Sequence, residues 1–363
     1  MSTLNFKNLI LSASKRYQDI PIGSLPMYVI GRNEESKFLI RKYPIEAIID
    51  DYNGTPFFGI PSIKMEVANK NAIILNCSSS IWPVSVVQKL STLNFTKIFD
   101  LGDIYSNKMF SNHHFFIDDA KKSVVESLES WKKLYSSMSD TVSRSTLEDI
   151  LLYRLSGSVS YMRHFSNREK DQYFESFIPR LKYNFVDAGS YDGYTSKYFI
   201  NYFDDYESVM IFEPSQKNFK ITKESLASYE NIKFYNYGLG SEEKELRFSE
   251  GGSSSKIDNK GGLVISIKPL DDFCIQSANY FVKMDLEGSE LDALKGAKNI
   301  IKSGNSVFAV AVYHSINDFI NIFEYMNSFG VHYNIHLRHY TEGWSETVMF
   351  FIPSGLISDS CVV

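Results

Sequence analysis

The sequence predicts two α/β units, each built on a mostly parallel sheet, with a helical connector between them. Three features carry that expectation. Residues 27–101 alternate short apolar runs with helix-like stretches, and residues 183–352 do so again; strands that alternate with helices form parallel sheets. In the second series, Phe185-Val-Asp-Ala-Gly-Ser-Tyr-Asp-Gly193 is an apolar run that ends in an acid and a glycine turn. About twenty residues past that turn, Ile211-Phe-Glu-Pro214 again closes an apolar run with an acid, the layout of a Rossmann-like nucleotide site.

The N-terminal unit, residues 1–108, opens with a strand at Met27-Tyr-Val-Ile-Gly31, a helix over 32–41 and a second strand at Ile45-Glu-Ala-Ile-Ile-Asp-Asp51. Further strands over 72–76 and 97–101 flank a helix over 83–93. Asp50 falls about twenty residues after Gly31, where a ribose-binding acid would sit. Only one glycine of the dinucleotide fingerprint is present, because Arg32, Asn33 and Glu34 follow Gly31. Two readings stay open: a degenerate Rossmann-like unit used for packing or oligomerisation, and a nucleotide or nucleotide-sugar site.

The connector, 109–182, reads as helical. Val124, Leu128, Trp131 and Tyr135 recur on one helical face. Ser145-Thr-Leu-Glu148 is a capping box that opens a second helix, with Leu147, Ile150, Leu151 and Leu155 on one side. A third helix is expected over 169–177, stopping before Pro179. His113 and His114 are adjacent and point in different directions on a helix, which favours a solvated pair over a metal pair.

In the C-terminal unit, 183–363, strands are expected over 184–188, 209–213, 232–237, 280–285, 306–313, 333–338 and 347–352. An inserted pair covers 244–248 and 263–267. The polar, glycine-rich link over 249–262 buries little surface and is expected to be mobile, as an inert loop or as a lid.

Bulk composition narrows the function. The 363 residues leave room for two domains, and 44% hydrophobic with 22% charged is an ordinary globular balance. The aromatics, 15% of the chain, fall mostly within apolar runs, which favours large cores over a sugar-stacking surface. A net charge of −5 without a Lys/Arg block argues against nucleic acid as a partner. Cys77, Cys274 and Cys361 form no CxxC pair, which excludes a zinc ribbon and speaks against a disulfide framework. The first residues lack a signal-peptide core, and no run reaches the ~18 apolar residues of a membrane span. The expectation is a cytoplasmic protein with no transmembrane segment, and a homo-oligomer formed through the N-terminal or helical region.

The glycine turn reads D-x-G-x-x-x-G rather than G-x-G-x-x-G. That points away from a pyrophosphate cradle and toward S-adenosylmethionine. Gly189 lets the turn bend, and Gly193 lets the backbone approach a ligand. Asp187 can accept from the turn amides or from a ligand ammonium group, and Glu213 can accept both ribose hydroxyls. Gly238 and Leu239 belong to the next loop on the same edge of the sheet. Lys283-Met-Asp-Leu-Glu-Gly-Ser-Glu290 places three carboxylates in six residues at a strand-to-helix turn. Asp285 and Glu287 share strand parity, while Glu290 falls in the first helical turn, where the dipole favours it. Tyr313-His314 closes the fifth strand on the same edge. His314 and Asp285 are the two candidates for a general base. A divalent ion held by Asp285, Glu287 or Glu290 is a further expectation, with its ligand set undecided.

Val186-Asp-Ala-Gly-Ser-Tyr-Asp-Gly193, Phe212-Glu-Pro214, Leu270-Asp-Asp-Phe273, Lys283 to Glu290, Gly296-Ala297, Tyr313-His314, Leu337-Arg-His-Tyr340 and Glu346-Thr-Val348 resemble, in order and spacing, the FkbM family of methyltransferases. The resemblance covers roughly residues 170 to 353. It implies a class I S-adenosylmethionine-dependent methyltransferase with a seven-stranded sheet whose last strand is antiparallel, usually acting on a hydroxyl. It further implies Asp187, Gly189, Ser190, Gly193, Glu213, Pro214, Gly238, Leu239 and Asp285 as cofactor contacts, and Glu287, Glu290 and Arg338 toward the acceptor. The N-terminal unit is similar to half-Rossmann units beside sugar-modifying enzymes, which implies a small-molecule or glycan acceptor. Three rivals are a nicotinamide-dependent sugar oxidoreductase using the N-terminal unit, a non-catalytic scaffold that retains the fold, and an N-methyltransferase, for which an Asn-Pro-Pro-Tyr-like run would be expected where the chain has Asp285-Leu-Glu-Gly.

Overall fold

The computed structural model describes residues 18–111, 115–249, 256–257 and 262–356. The expectations for the N-terminal residues, for His113 and His114, for most of the 249–262 link and for Cys361 lie outside the described residues. The chain forms two compact units. One comprises 1–136, 144–169 and 339–346; the other comprises 137–143, 170–338 and 347–363.

In the first unit, β1 (Met27–Ile30), β2 (Ile45–Ile49), β3 (Ser62–Ile63), β4 (Ile73–Asn76) and β5 (Ile98–Phe99) form a parallel sheet in the order β3-β2-β1-β4-β5. Both faces are apolar because alternate residues feed separate cores. Met27, Val29, Ile48 and Leu75 pack on one side, and Tyr28, Ile30, Ile49 and Ile74 on the other. Helices Glu34–Lys42 and Pro83–Thr92 follow β1 and β4, the strands where the order reverses.

The carboxyl edge of this sheet is filled by the chain itself. Gly31 has φ +101°, and a Cβ there would lie 3.0 Å from the Cys77 backbone, so this glycine serves the close approach of two strand exits. Asp50 is committed to its own loop: Oδ1 accepts the amides of Tyr52 and Asn53, and Oδ2 pairs with Arg32 Nε at 2.6 Å. Residues 341–345 lie along the exit of β4. Glu342 N donates to Ile81 O and Trp344 N to Ser79 O, both at 3.0 Å. The Glu342 carboxylate accepts the Ser85 amide at 2.7 Å and the Ser85 hydroxyl, in the first turn of the helix Pro83–Thr92.

The connector differs from expectation in three places. The face of Val124, Leu128, Trp131 and Tyr135 does not lie on one helix: Phe116–Glu126 and Leu128–Ser137 are separated at Ser127, whose φ −124° and ψ 33° are not helical. The next helix, Thr141–Ser156, starts before Ser145, so the expected capping box lies in its interior. Asp140 takes the cap instead, accepting Ser143 N at 2.6 Å. No helix spans 169–177; a single 3₁₀ turn at Glu169–Asp171 ends before Tyr173, whose φ of +75° breaks any helix.

The second unit carries β6 (Asn184–Ala188), β7 (Ser208–Phe212), β8 (Ile232–Tyr235), β9 (Gly238–Leu239), β10 (Lys244–Ser249), β11 (Lys256–Ile257), β12 (Leu263–Lys268), β13 (Tyr280–Met284), β14 (Ser306–Ala311), β15 (Tyr333–His339) and β16 (Thr347–Pro353). Seven of them form one sheet, β15-β16-β14-β13-β6-β7-β8, with the last strand, β16, antiparallel to β14. The inserted pair appears as expected, Lys244↔Ile267 through Phe248↔Leu263, within a four-stranded side sheet β11-β10-β12-β9. Aromatics build the core: Phe185 stacks on Phe199 at 4.1 Å, with Phe174, Phe203 and Phe281 around them. The strand order reverses between β6 and β13, and the crevice beyond their carboxyl ends is where open α/β sheets bind ligands. Among the described residues, no helix is long and apolar enough to cross a membrane.

Candidate functional site

Four strand exits meet at that crevice. The glycine turn leaves β6 through three left-handed residues, Gly189, Tyr191 and Gly193, with φ +80°, +55° and +81°. Gly189 cannot be replaced without disruption, because a Cβ would sit 2.0 Å from the Asp285 carbonyl oxygen. Its amide bonds Phe212 O at 3.0 Å, while Asp285 N bonds Ala188 O at 3.2 Å, so the turn is seated between the ends of β7 and β13. Gly193 forms the N-cap of the helix Tyr194–Tyr202.

Asp187 is fully enclosed. It accepts Ser196 Oγ at 2.6 Å and pairs with Lys283 Nζ at 3.2 Å. The expected turn amides do not appear among these partners, so the carboxylate braces the turn from beneath. The Ser190 hydroxyl is likewise buried and lies 3.4 Å from Thr222 Oγ1.

Glu213 closes β7 with its carboxylate divided between two amides, Tyr191 N at 3.0 Å and Ser215 N at 2.9 Å. Burial pushes its pKa up to about 7, against the two amide bonds that favour the charged form. Asn236 donates to the carbonyls of Glu213 and Pro214 at 2.8 and 3.2 Å. A Cβ on Gly238 would lie 3.7 Å from the Pro214 ring and 2.6 Å from Ile267, and Leu239 is buried beside it in β9.

The carboxylate run after β13 meets His314. Its Nε2 lies 3.1 Å from Asp285 Oδ1 and 3.2 Å from Glu290 Oε1, and Nδ1 lies 3.8 Å from Glu287 Oε2. Burial opposes a charge on the ring, but the bonds to Asp285 and Glu290 outweigh it and raise the pKa to about 11. Burial would raise Asp285, yet the His314 bond and the Lys283 charge lower it to about 2. Glu290 is buried and accepts Leu286 N at 2.6 Å. Glu287 and Gly288 turn the chain in left-handed conformations, φ +53° and +93°, which brings all three acids to one imidazole. One ligand atom each from Asp285, Glu290 and His314 lies within 4.8 Å of the others, a nitrogen and two oxygens of the kind first-row divalent ions accept.

Arg338 takes no part in this cluster. Its guanidinium donates to Asp140 Oδ2 at 2.8 Å and Ser143 Oγ at 2.9 Å, and lies 4.7 Å over the Phe177 ring. The sequence assigned no role to two residues of the site. Lys283 donates to Gly189 O at 2.7 Å and Ala188 O at 3.2 Å, and Tyr173 donates its hydroxyl to Asp285 Oδ2 at 2.9 Å. A lysine inside the apolar strand β13 was a signal for the first, since a buried ammonium needs partners.

Residues 187–333 match the sequence model of the methyltransferase FkbM domain. Among solved structures, the chain is similar to the methyltransferase FkbM from Methylobacillus flagellatus KT. The TM-score is 0.73 at 22% identity, over 96% of this chain and 100% of that one, a likeness of fold. It is also similar to an rRNA methylase from Streptococcus thermophilus, with a TM-score of 0.32 and 13% identity over 47% of this chain and 87% of that one. Aeropyrum pernix fibrillarin, in complex with natively bound S-adenosyl-L-methionine, has a TM-score of 0.33 and 7% identity over 49% and 70%. These two weaker likenesses carry no argument. No curated protein matches the chain. Residues 187–333 thus carry the sequence pattern of the methyltransferase FkbM domain, on a chain whose fold is that of a methyltransferase, and the activity this pattern implies is methyl transfer from S-adenosylmethionine.

Proposed function

We propose that the protein O-methylates a hydroxyl of a sugar or glycan, with residues 183–363 as the catalytic part, 1–108 as an accessory unit and 109–182 joining them. The observation that supports this most is the cluster of Asp285, His314 and Glu290 on the same sheet edge as the glycine turn and Glu213. In this reading the donor lies over the turn. Gly189 and Gly193 let its backbone approach, Asp187 and Ser190 brace it from below, and Glu213 receives the ribose hydroxyls on lone pairs its two amides leave free. Pro214, Gly238 and Leu239 wall the adenosine side. The sulfonium needs alignment more than activation, so the protein's main tasks are to place the acceptor oxygen in line with the methyl group and to take its proton.

His314 and Asp285 share that second task. The imidazole is held as a cation between two carboxylates, so it can take the acceptor's proton only after its own has passed to the Asp285 or Glu290 carboxylate beside it. A divalent ion on Asp285, Glu290 and His314 would replace that proton; when bound it supplies a Lewis acid that lowers the pKa of an acceptor hydroxyl. Glu287, half-exposed beside the cluster, is assigned to the acceptor, as is Glu290 when no ion is bound. Arg338 is left out of this assignment because Asp140 already holds it. The nicotinamide alternative is not retained either, since Asp50 is engaged by Arg32 and by two amides of its own loop.

The test is incubation with labelled S-adenosylmethionine and a panel of sugar acceptors, nucleotide-linked and polymeric. Label in a base-stable ether on an acceptor supports the reading. Donor binding without transfer to any hydroxyl counts against it. Activity that survives dialysis against EDTA removes the ion from the mechanism.

A further inference from the structure

We propose that Tyr173 is a positioning residue of the methyl-transfer site, which orients the Asp285 carboxylate toward His314 and ties it to the donor turn. The inference rests on the reading above and deepens it.

Tyr173 stands before the first strand of its unit and 112 residues from Asp285, yet its hydroxyl donates to Asp285 Oδ2 at 2.9 Å. His314 Nε2 engages the other oxygen, Oδ1, at 3.1 Å. The carboxylate is therefore gripped at both ends, and the grip on Oδ2 fixes the plane in which it meets the imidazole. Tyr313 approaches the same group at 3.3 and 3.5 Å, longer contacts that leave the Tyr173 bond the shorter of the two tyrosine contacts. A carboxylate rotates freely about its last torsion unless its oxygens are held.

The backbone bears out a special placement. Tyr173 has φ +75°, a conformation bulky L-residues avoid and keep only where the surroundings enforce it. Enforcement comes from both sides. Phe174 is wedged 5.0 Å from Tyr198 and 6.1 Å from Phe281, and Gln172 Nε2 donates to the Tyr173 hydroxyl at 3.0 Å. The left-handed turn is what lets Phe174 enter the core while Tyr173 reaches the site. The Tyr173 ring also lies 5.5 Å from Lys283 Nζ, the ammonium that donates to Gly189 O and pairs with Asp187. One buried side chain thus touches the group that steadies the donor turn and the carboxylate that faces the acceptor.

Tyr173→Phe removes the donated hydrogen bond and keeps the ring and its packing. In protein freed of divalent ions with EDTA, the His314 Nε2 proton resonance, assigned by its loss in His314→Asn, should shift or broaden in Tyr173→Phe, at a temperature well below the thermal midpoint of either protein. An unaltered resonance in both position and width overturns the proposal. With an acceptor in hand, kcat should fall about tenfold or more, with the acceptor KM and donor Kd within about twofold; an unchanged kcat overturns it equally. The resonance needs no acceptor, so failure of the wild-type protein to methylate anything would count against the proposed function and leave this measurement decisive for Tyr173.

Discussion

The residue that most constrains the chemistry is His314. Its Nε2 faces two carboxylates, so its charge is stabilised in the ligand-free protein. As one of the two groups assigned to the acceptor's proton it should be needed for turnover and not for donor binding: His314→Ala is expected to lower kcat by about a hundredfold or more, with the S-adenosylmethionine Kd unchanged by calorimetry. Glu213 makes a separate prediction. Its folded pKa, about 7, lies above its ordinary value of 4.5. Between those values the native state holds a proton that the unfolded chain has lost, so stability falls as pH rises through this window. The full effect is about 3 kcal/mol at most. In urea unfolding from pH 4.5 to 8, the stability of wild type relative to Glu213→Gln should show that decline, and the variant should also bind the donor more weakly. Parallel pH profiles of the two proteins across the window would contradict the buried carboxylate.

At the scale of elements, the site was legible wherever an apolar run ended in an acid or histidine. Asp187, Glu213, Asp285 and His314 all follow such runs, and β6, β7, β13 and β14 place them on one edge. The helical connector was less legible because a periodic face continues across Ser127 although the helix does not. Gln172-Tyr-Phe174 resembles a stretch of some family members, but the role of Tyr173 was not legible, since its reach depends on one left-handed residue that no hydrophobic period encodes. Arg338 was illegible in another way: its place in the chain's closing motif says nothing of Asp140, which pairs with it while capping another helix. The glycine turn was legible as a turn, and the structure adds why it tolerates nothing larger. Gly189→Ala combines a φ of +80° with a Cβ 2.0 Å from a carbonyl oxygen. The left-handed strain alone costs about 1–2 kcal/mol, and relieving the clash must move Asp285. Donor affinity should drop at least about tenfold, measured with S-adenosylhomocysteine, with a lower thermal midpoint.

On the scale of the whole molecule, the chain order and the compact units do not coincide. Residues 339–346 belong to the first unit, although they join β15 to β16 of the seven-stranded sheet. That distribution was invisible in the sequence, where Leu337-Arg-His-Tyr340 and Glu346-Thr-Val348 read as the end of the methyltransferase part alone. Its energetic core is Glu342, whose buried carboxylate holds the Ser85 amide and hydroxyl at the start of the helix Pro83–Thr92. In a sheet of this order the helix after the reversing strand presents unpaired amides to an anion, and here the chain supplies its own. Removing the carboxylate leaves the first-turn amide without its acceptor, at about 1–3 kcal/mol for a buried donor. Glu342→Ala should therefore destabilise the protein by that amount, read as a lower denaturant midpoint with an unchanged slope. Gly343→Ala should act on the same segment by a different route, because a Cβ there would lie 2.2 Å from Ser79 O and 2.3 Å from Ser80 O. If both effects come from unseating the segment, the double variant should lose less stability than the two single variants combined. Strict additivity would mean that Glu342 and Gly343 act independently, and that the seat of 341–345 is not one cooperative piece of the first unit.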